Sequence, residues 1–256
     1  MNDLNDIKNF FFDLDKTLWN WDETIIGAED TVDTLREKDR NVFFHTDNTL
    51  LTRQELARKL TSMGIPAEKE DILTSGYTVA RHLEERDIQK VYALGEAGIV
   101  NELEAHDIGV SEDADIVVAG FDRQFSYSKL KRAMRALDDG ELYICSTETT
   151  FRTSHGEQPH QGPTNLALQE FSDATLAGKP GELFRKQFKK YFSYFPEKSL
   201  FIGDRLADIE AGNRLGMKTA AVMSGDISPE SLKQADDMQQ PDYGISNLGK
   251  LKKRVL

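Results

Sequence analysis

Residues 9–22 read NFFFDLDKTLWNWD, and the fold turns on how that stretch is understood. The run Phe10–Phe12 has the apolar density of a buried strand, yet it ends in Asp13 and Asp15, followed by Lys16 and Thr17. Residues two apart on an extended chain point to the same side, so the spacing predicts both carboxylates in one pocket. Two carboxylates that close repel, and each resists ionising unless a cation is near. A divalent metal removes the conflict, and an all-oxygen set with room for water and phosphate suits Mg2+. An aspartate after a strand can also be a plain turn or helix-cap residue. What the other strand ends carry decides between the two.

Working outward, short apolar runs alternate with longer segments of helical period. Strands are expected at IKNFFF, NVFFH, KVYAL, DIVVAG, ELYICS, TLAG, SLFIG and KTAAVMS. Helices are expected at TRQELARKLTSMG, with Leu56, Leu60 and Met63 on one face and Gly64 as its stop, and at SYSKLKRAMRALDDG, with Leu130, Met134 and Leu137 inward and Gly140 as terminator. GELFRKQFKKYF and RLADIEAGNRLG read the same way. This alternation predicts an α/β fold with parallel strands joined by helical crossovers.

In such sheets ligands bind beyond the carboxyl ends of the strands. Thr46, Asp47 and Asn48 follow the second strand, Lys179 follows TLAG, and Asp204 and Asp208 follow SLFIG. Lys179 lies between Gly178 and Pro180 just ahead of a helix, where an ammonium can neutralise a carboxylate and a phosphate oxygen; its plainer reading is a solvated surface lysine. A hydroxyl and free N–H groups in the turn at Thr46 favour an anion. Together these residues describe phosphoryl transfer. Asp13 attacks phosphorus, and Asp15 protonates the leaving oxygen and then activates water. Metal, Lys179 and Thr46 hold the phosphate oxygens.

The chain has 256 residues, 39% hydrophobic and 30% charged, with a formal net charge of −12. That size buries a real core, in one large domain or a main domain with a smaller one. The charge argues against a nucleic acid or an anionic membrane as the main partner. Cys145, the single cysteine, excludes an internal disulfide and suits a reducing cytosol. MNDLNDIKNF lacks the basic and apolar regions of a signal peptide, and no apolar run approaches bilayer length. The closing GKLKKRVL reads as a solvated helix end. The expectation is a soluble cytoplasmic protein.

These residues resemble the haloacid dehalogenase (HAD) superfamily, whose four motifs match in order: DLDKT at 13–17, HTDN around Thr46, Lys179, and GDRLAD from Gly203 to Asp208. The long interval between Thr46 and Lys179 resembles the place where that family inserts a C2-type cap over its active site. KVYALGEAGIVNEL, ADIVVAGFDRQFSYSKLKRAM and GELYICSTETT are similar to the type IIA, NagD-like p-nitrophenylphosphatase branch. The resemblance implies a Rossmann-like core at residues 1–77 and 175–256 with an α/β cap at 78–174. It also implies a Mg2+-dependent phosphatase of a small phosphate ester such as a sugar phosphate or nucleotide. Asp13, Asp15, Thr46 and Lys179 would be catalytic. Asp13, Asp15, Asp204 and Asp208 would serve the metal, with Asp204 the direct ligand and Asp208 orienting it or a bound water. Thr46, Asp47, Asn48, Lys179 and the cap-loop residues Thr147 and Thr149 would meet the substrate. Members of the branch often dimerise through the cap, which makes a homodimer one expected state.

The chain departs from that pattern at several points. Lys16 stands where the branch usually has glycine, Asp47 replaces the asparagine of a T-N pair, and STETT replaces T-N-P-D in the cap loop. The fourth motif has one residue fewer between its aspartates. Two other functions stay open: a phosphotransferase or mutase using the same aspartate, and a non-catalytic ligand-binding protein that keeps the fold. Among further residues, His155 and His160 flank GEQP and read as loop or substrate-rim residues, a metal role lacking a third ligand. Trp19 and Trp21 read as packing below the cap hinge, with stacking on a base or sugar the alternative. His45 is expected on the strand face opposite Thr46. Cys145 reads as a small core residue, and Arg205 as an entrance residue or a carboxylate partner.

Overall fold

The computed structural model describes residues 4–20, 23–153 and 156–255. The opening run is a strand, β1 (Asn9–Asp13), buried at all five positions, as its unbroken aromatic content requires in a central parallel strand. A small hairpin follows, β2 (Trp19–Asn20) with β3 (Glu23–Thr24), then α1 (Ala28–Glu37) and β4 (Asn41–Thr46). Next come α2 (Arg53–Ser62), β5 (Ile72–Thr74), α3 (Ser75–Glu84), β6 (Lys90–Leu94), α4 (Ala97–Glu104) and β7 (Gly109–Val110). The middle of the chain holds β8 (Ile116–Ala119), α5 (Tyr127–Ala136), β9 (Glu141–Ile144), the hairpin β10 (Thr150–Thr153) with β11 (Gly156–Pro159), and α6 (Gly162–Gln169). It closes with β12 (Ala174–Leu176), α7 (Glu182–Tyr191), β13 (Ser199–Gly203), α8 (Leu206–Arg214), β14 (Lys218–Val222), α9 (Pro229–Gln234), β15 (Tyr243–Ile245) and α10 (Leu248–Val255).

Two sheets organise these elements. A six-stranded parallel sheet runs β15-β14-β13-β1-β4-β5, with β1 flanked by β13 and β4 in parallel register. A separate five-stranded parallel sheet runs β12-β9-β8-β6-β7. This is the α/β architecture that the alternating pattern predicts, with the inserted second sheet that the resemblance implies. All eight expected strands are present, as are the four expected helices.

The chain divides into two compact units, Met1–Thr46 with Leu56–Leu73 and Lys189–Leu256, and Asp47–Glu55 with Thr74–Phe188. In the first, Phe11 stacks on Phe43 with ring centroids 5.1 Å apart, and Phe192 and Tyr194 meet it edge-on at 5.2 and 5.6 Å. Ile209, Ala221 and Ile227 form a second apolar cluster there. In the other unit, one cluster joins Val79, Leu83 and Leu103 to Val118 and Tyr143, and another joins Leu94, Val117 and Leu142 to Ala133 and Leu168.

The inward face of α5 needs correction. Met134 is 41% exposed, whereas Ala133, Ala136 and Leu137 are buried and Leu130 is partly so. Rows 130-134-137 and 130-133-137 are both helical spacings. The small Ala133 lets the helix approach its sheet, and the bulkier Met134 turns outward.

Candidate active site

The two aspartates of the first motif differ in exposure, and β1 ends at the first of them. Leu14 is fully buried in the core, while Asp13 on one side of it is buried and Asp15 on the other reaches solvent. Asp15 is held on both oxygens. Trp19 Nε1–H donates to Oδ1 at 2.9 Å, and Thr46 Oγ1–H at the end of β4 donates to Oδ2 at 3.4 Å. Trp19 is itself buried, so the packing role expected for it holds and a polar contact is added to it. Trp21 and His155 lie outside the described residues.

His45 has a neighbour that the sequence does not reveal. It pairs with Asp13 in the parallel register of β1 and β4, and such neighbours share a face. Its Nδ1 lies 3.8 Å from Asp13 Oδ1, and its ring stacks on Phe201 at a centroid distance of 4.0 Å. Asp13, His45 and Asp208, all buried, each offer a ligand atom within 4.8 Å of the others.

Asp204 directly follows β13, and Asp208 lies in the first turn of α8. Both are almost fully buried. Asp208 Oδ2 accepts the Arg205 N–H at 2.9 Å, closing the first turn of α8, and Arg205 Nη2 lies 3.8 Å from Oδ1. Of the two readings for Arg205, the carboxylate partner is the one realised. A Cβ at Gly203 would collide with the Asp208 carboxylate, which explains the glycine ahead of the motif. Asp204 Oδ2 accepts the Asp226 N–H at 2.9 Å, but Oδ1 is buried with no hydrogen-bond partner among the described residues. Burial, and then the charges of Asp13 and Asp208, hold the Asp204 carboxyl well above the usual carboxylate range.

A cation fits this donor set. Buried carboxylates that raise each other's cost of ionisation, one with an unsatisfied oxygen, are an arrangement a hard divalent ion stabilises. The buried grouping contains Asp13 and Asp208 from the expected metal set and adds the His45 nitrogen. Sequence reasoning gave His45 no part in the site because the strand beside β4, and the register that sets His45 next to Asp13, cannot be read from the sequence.

Lys16 has a left-handed backbone, φ 61°, the conformation glycine accepts most readily at that position. Its Nζ donates to both Asp226 carboxylate oxygens at 2.7 Å. The lysine therefore turns toward the loop after β14, the loop that also supplies a backbone N–H to Asp204. Lys16→Ala loses the ion pair and keeps the unfavourable φ, whereas Lys16→Gly loses the pair and relieves it. The glycine variant should be more stable than the alanine variant by about 1 kcal/mol in urea unfolding. Equal midpoints would show that the turn relaxes.

In the second unit, Lys179 is fully buried, which rules out the solvated surface reading. Its backbone N–H donates to Asp47 Oδ1 at 3.1 Å, and the Asp47 carbonyl accepts from Ser75 Oγ at 3.2 Å. The aspartate in place of asparagine thus serves as an acceptor that fixes the lysine segment. Asn48 Oδ1 accepts the Leu50 N–H at 2.9 Å. Thr147 and Thr149 are exposed on a loop that is tied down around them. Ser146 Oγ accepts the Glu148 N–H at 3.2 Å, the Ser146 carbonyl accepts from Asn165 Nδ2 at 2.6 Å, and the Thr149 carbonyl accepts the His160 N–H at 2.9 Å. The His160 ring stacks on Phe121 at 4.3 Å, with Nε2 3.8 Å from Glu148 Oε2. Cys145 is the buried core residue expected, its thiol pushed up to about 12 by burial.

Comparison with known proteins bears on this arrangement. Residues 10–109 match the family described as haloacid dehalogenase-like hydrolase, and residues 176–251 match the related HAD-hydrolase-like family. The chain belongs to the haloacid dehalogenase-like hydrolases, in their type IIA, NagD-like p-nitrophenylphosphatase branch. It is 31% identical over 247 residues to the 5'-nucleotidase YutF of Bacillus subtilis, covering 94% of this chain and 96% of that protein. It is 28% identical to the chloroplastic phosphoglycolate phosphatase 1A of Arabidopsis thaliana, over 96% of this chain and 76% of the relative. The solved 4-nitrophenylphosphatase of Thermotoga maritima superposes with a TM-score of 0.89 at 30% identity, covering 99% of both chains. The protein is a phosphatase of this family. No helix among the described residues is long and apolar enough to cross a membrane.

Proposed function

We propose that this phosphatase hydrolyses a small phosphomonoester with Mg2+ through an aspartyl-phosphate on Asp13. The observation that carries the reading is the buried crowding of Asp13, Asp204 and Asp208, with one Asp204 oxygen lacking any partner among the described residues. Such a group is costly unless a cation offsets it. Bound there, Mg2+ would supply charge neutralisation for a phosphate dianion approaching a carboxylate. Asp13, Asp15, Asp204 and Asp208 would hold it, and the His45 nitrogen lies within reach of Asp13 and Asp208.

In the first step an Asp13 oxygen forms a bond to phosphorus as the ester P–O bond breaks, and the leaving oxygen takes the proton of Asp15. In the second, water attacks phosphorus, gives its proton to Asp15, and the P–O bond to Asp13 breaks to release inorganic phosphate. Thr46 and Lys179 bind phosphate oxygens. Asp47 supports Lys179 through the backbone contact described, and it directly follows Thr46 in the chain, so one short segment serves both groups. The strand-end N–H groups at Asp47 and Asn48 add donors. Residues 78–174 form the cap, where the exposed Thr147 and Thr149 meet the leaving group. The named relatives act on a nucleotide, phosphoglycolate and 4-nitrophenyl phosphate, which share the phosphomonoester and differ in what leaves.

Release of inorganic phosphate from 4-nitrophenyl phosphate, a 5'-nucleotide and phosphoglycolate tests the reading. Turnover with Mg2+, lost in EDTA and restored by added Mg2+, is the expected result. No turnover on any of the three with Mg2+ present would overturn it.

A further inference from the structure

Trp19 is fully buried and yet spends its only polar atom on an exposed carboxylate. Indole N–H is donor-only, and a buried one requires an acceptor. Here the acceptor is Asp15 Oδ1 at 2.9 Å rather than a backbone carbonyl. The surrounding chain fixes that geometry closely. Leu18 N–H donates to the Leu14 carbonyl at 2.8 Å, Lys16 N–H donates to the Trp19 carbonyl at 2.6 Å, and Asp15 and Trp19 form an isolated parallel bridge. Residues 14–19 are therefore a closed turn whose last side chain points back at its second residue. Lys59 Nζ sits over the indole ring, 4.7 Å from its centroid.

We infer that Trp19 is a positioning residue that fixes the orientation of the Asp15 carboxyl and assigns proton delivery to Oδ2. The inference rests on the proposed role of Asp15 as general acid and base. A proton on Oδ1 would face the indole N–H and weaken that bond, whereas a proton on Oδ2 leaves it intact. Oδ2 is the oxygen to which Thr46 Oγ1 donates at 3.4 Å, and a hydroxyl, unlike an indole N–H, can turn to accept when that oxygen carries the proton. Trp19 and Thr46 thus hold the carboxyl from two sides and stop it rotating about its Cβ–Cγ bond. The bond from Trp19 is charge-assisted while Asp15 is ionised, which makes it one of the stronger restraints in this turn.

The consequence is specific to proton transfer. An aryl oxygen made acidic by a nitro group leaves with little help, whereas a more basic aryl oxygen needs a well-placed proton. The experiment is kcat/KM for aryl phosphates of graded leaving-group acidity, from 4-nitrophenyl to 4-methoxyphenyl phosphate, in the wild type and in Trp19→Phe. The variant should lose about 10-fold or more on the 4-methoxyphenyl ester and about 2-fold on the 4-nitrophenyl ester, so its dependence on the leaving group steepens. Equal losses on both esters, or none on either, would overturn the inference and leave Trp19 as packing alone. A wild type inactive on both esters would instead defeat the phosphatase chemistry assigned to Asp13 and Asp15. If Trp19→Phe does not fold, benzothienylalanine at position 19 keeps the ring shape and replaces the N–H with sulfur. The same steepening is expected for it, and an unchanged slope overturns the inference.

Discussion

Asp13→Asn should lower phosphate release by roughly 10^4-fold or more, the scale seen when a catalytic nucleophile is removed. The amide keeps the shape of the carboxylate at a buried strand end, so the fold is expected to survive. What is lost is the anionic oxygen that bonds to phosphorus. The substitution also removes one of the charges that raises the proton affinity of Asp204, and the metal-free protein should melt at the same temperature or higher. Loss of activity with retained or increased stability separates a chemical role from a structural one. Retention of more than about 1% of turnover would remove Asp13 from the role of nucleophile. Acid-quenched wild-type protein mixed with radiolabelled ester should carry label on the chain, and the variant should carry none.

Much of the fold was legible because its strands are long, apolar and spaced by amphipathic helices. NFFFD, NVFFHT and SLFIG declare themselves as central strands, since parallel sheet buries both faces. The edge strands Ile72–Thr74 and Tyr243–Ile245 did not, because three residues carry no measurable period. Of the two hairpins, the one at Trp19–Thr24 has strands of two residues each, and the one at Thr150–Pro159 has strands TFRT and GEQP, too polar to stand out as apolar runs. On helix α5 the choice between Ala133 and Met134 depends on how near the helix lies to its sheet, which periodicity leaves open.

The candidate site follows the same division. Aspartates at strand ends are visible in the sequence because position after a strand is a topological property. Partnerships across the chain are not. The Lys179 N–H meets Asp47 across 132 residues, which turns an apparent flaw in the second motif into a support. Lys16 meets Asp226 across 210 residues, and no local feature of DLDKT indicates that partner. The residue that His45 meets on the neighbouring strand follows from strand register, which the sequence alone does not reveal.

Asp204→Asn should reverse the response of the protein to Mg2+ and to pH. In the metal-free native state the Asp204 carboxyl titrates well above its ordinary range, chiefly through burial and then through Asp13 and Asp208. An unfolded aspartate ionises near about 3.9. Between those two values the native state holds a proton that the unfolded chain has released, so metal-free stability falls as pH rises. Asparagine cannot ionise, and it can still accept the Asp226 N–H, so the variant without metal should melt higher than wild type at pH 8 and converge with it toward acid. Adding Mg2+ produces the opposite ranking. At about one hundred times its dissociation constant, a ligand bound only to the native state contributes about 2.7 kcal/mol. For a chain of this length that corresponds to a rise of roughly 5–10 °C, expected in wild type and absent in the variant. Melting curves at pH 5 and pH 8, each in Mg2+ and in EDTA, therefore cross. An equal Mg2+-induced rise in both proteins would mean that the ion binds elsewhere, and that the unsatisfied oxygen of Asp204 does not mark the metal position.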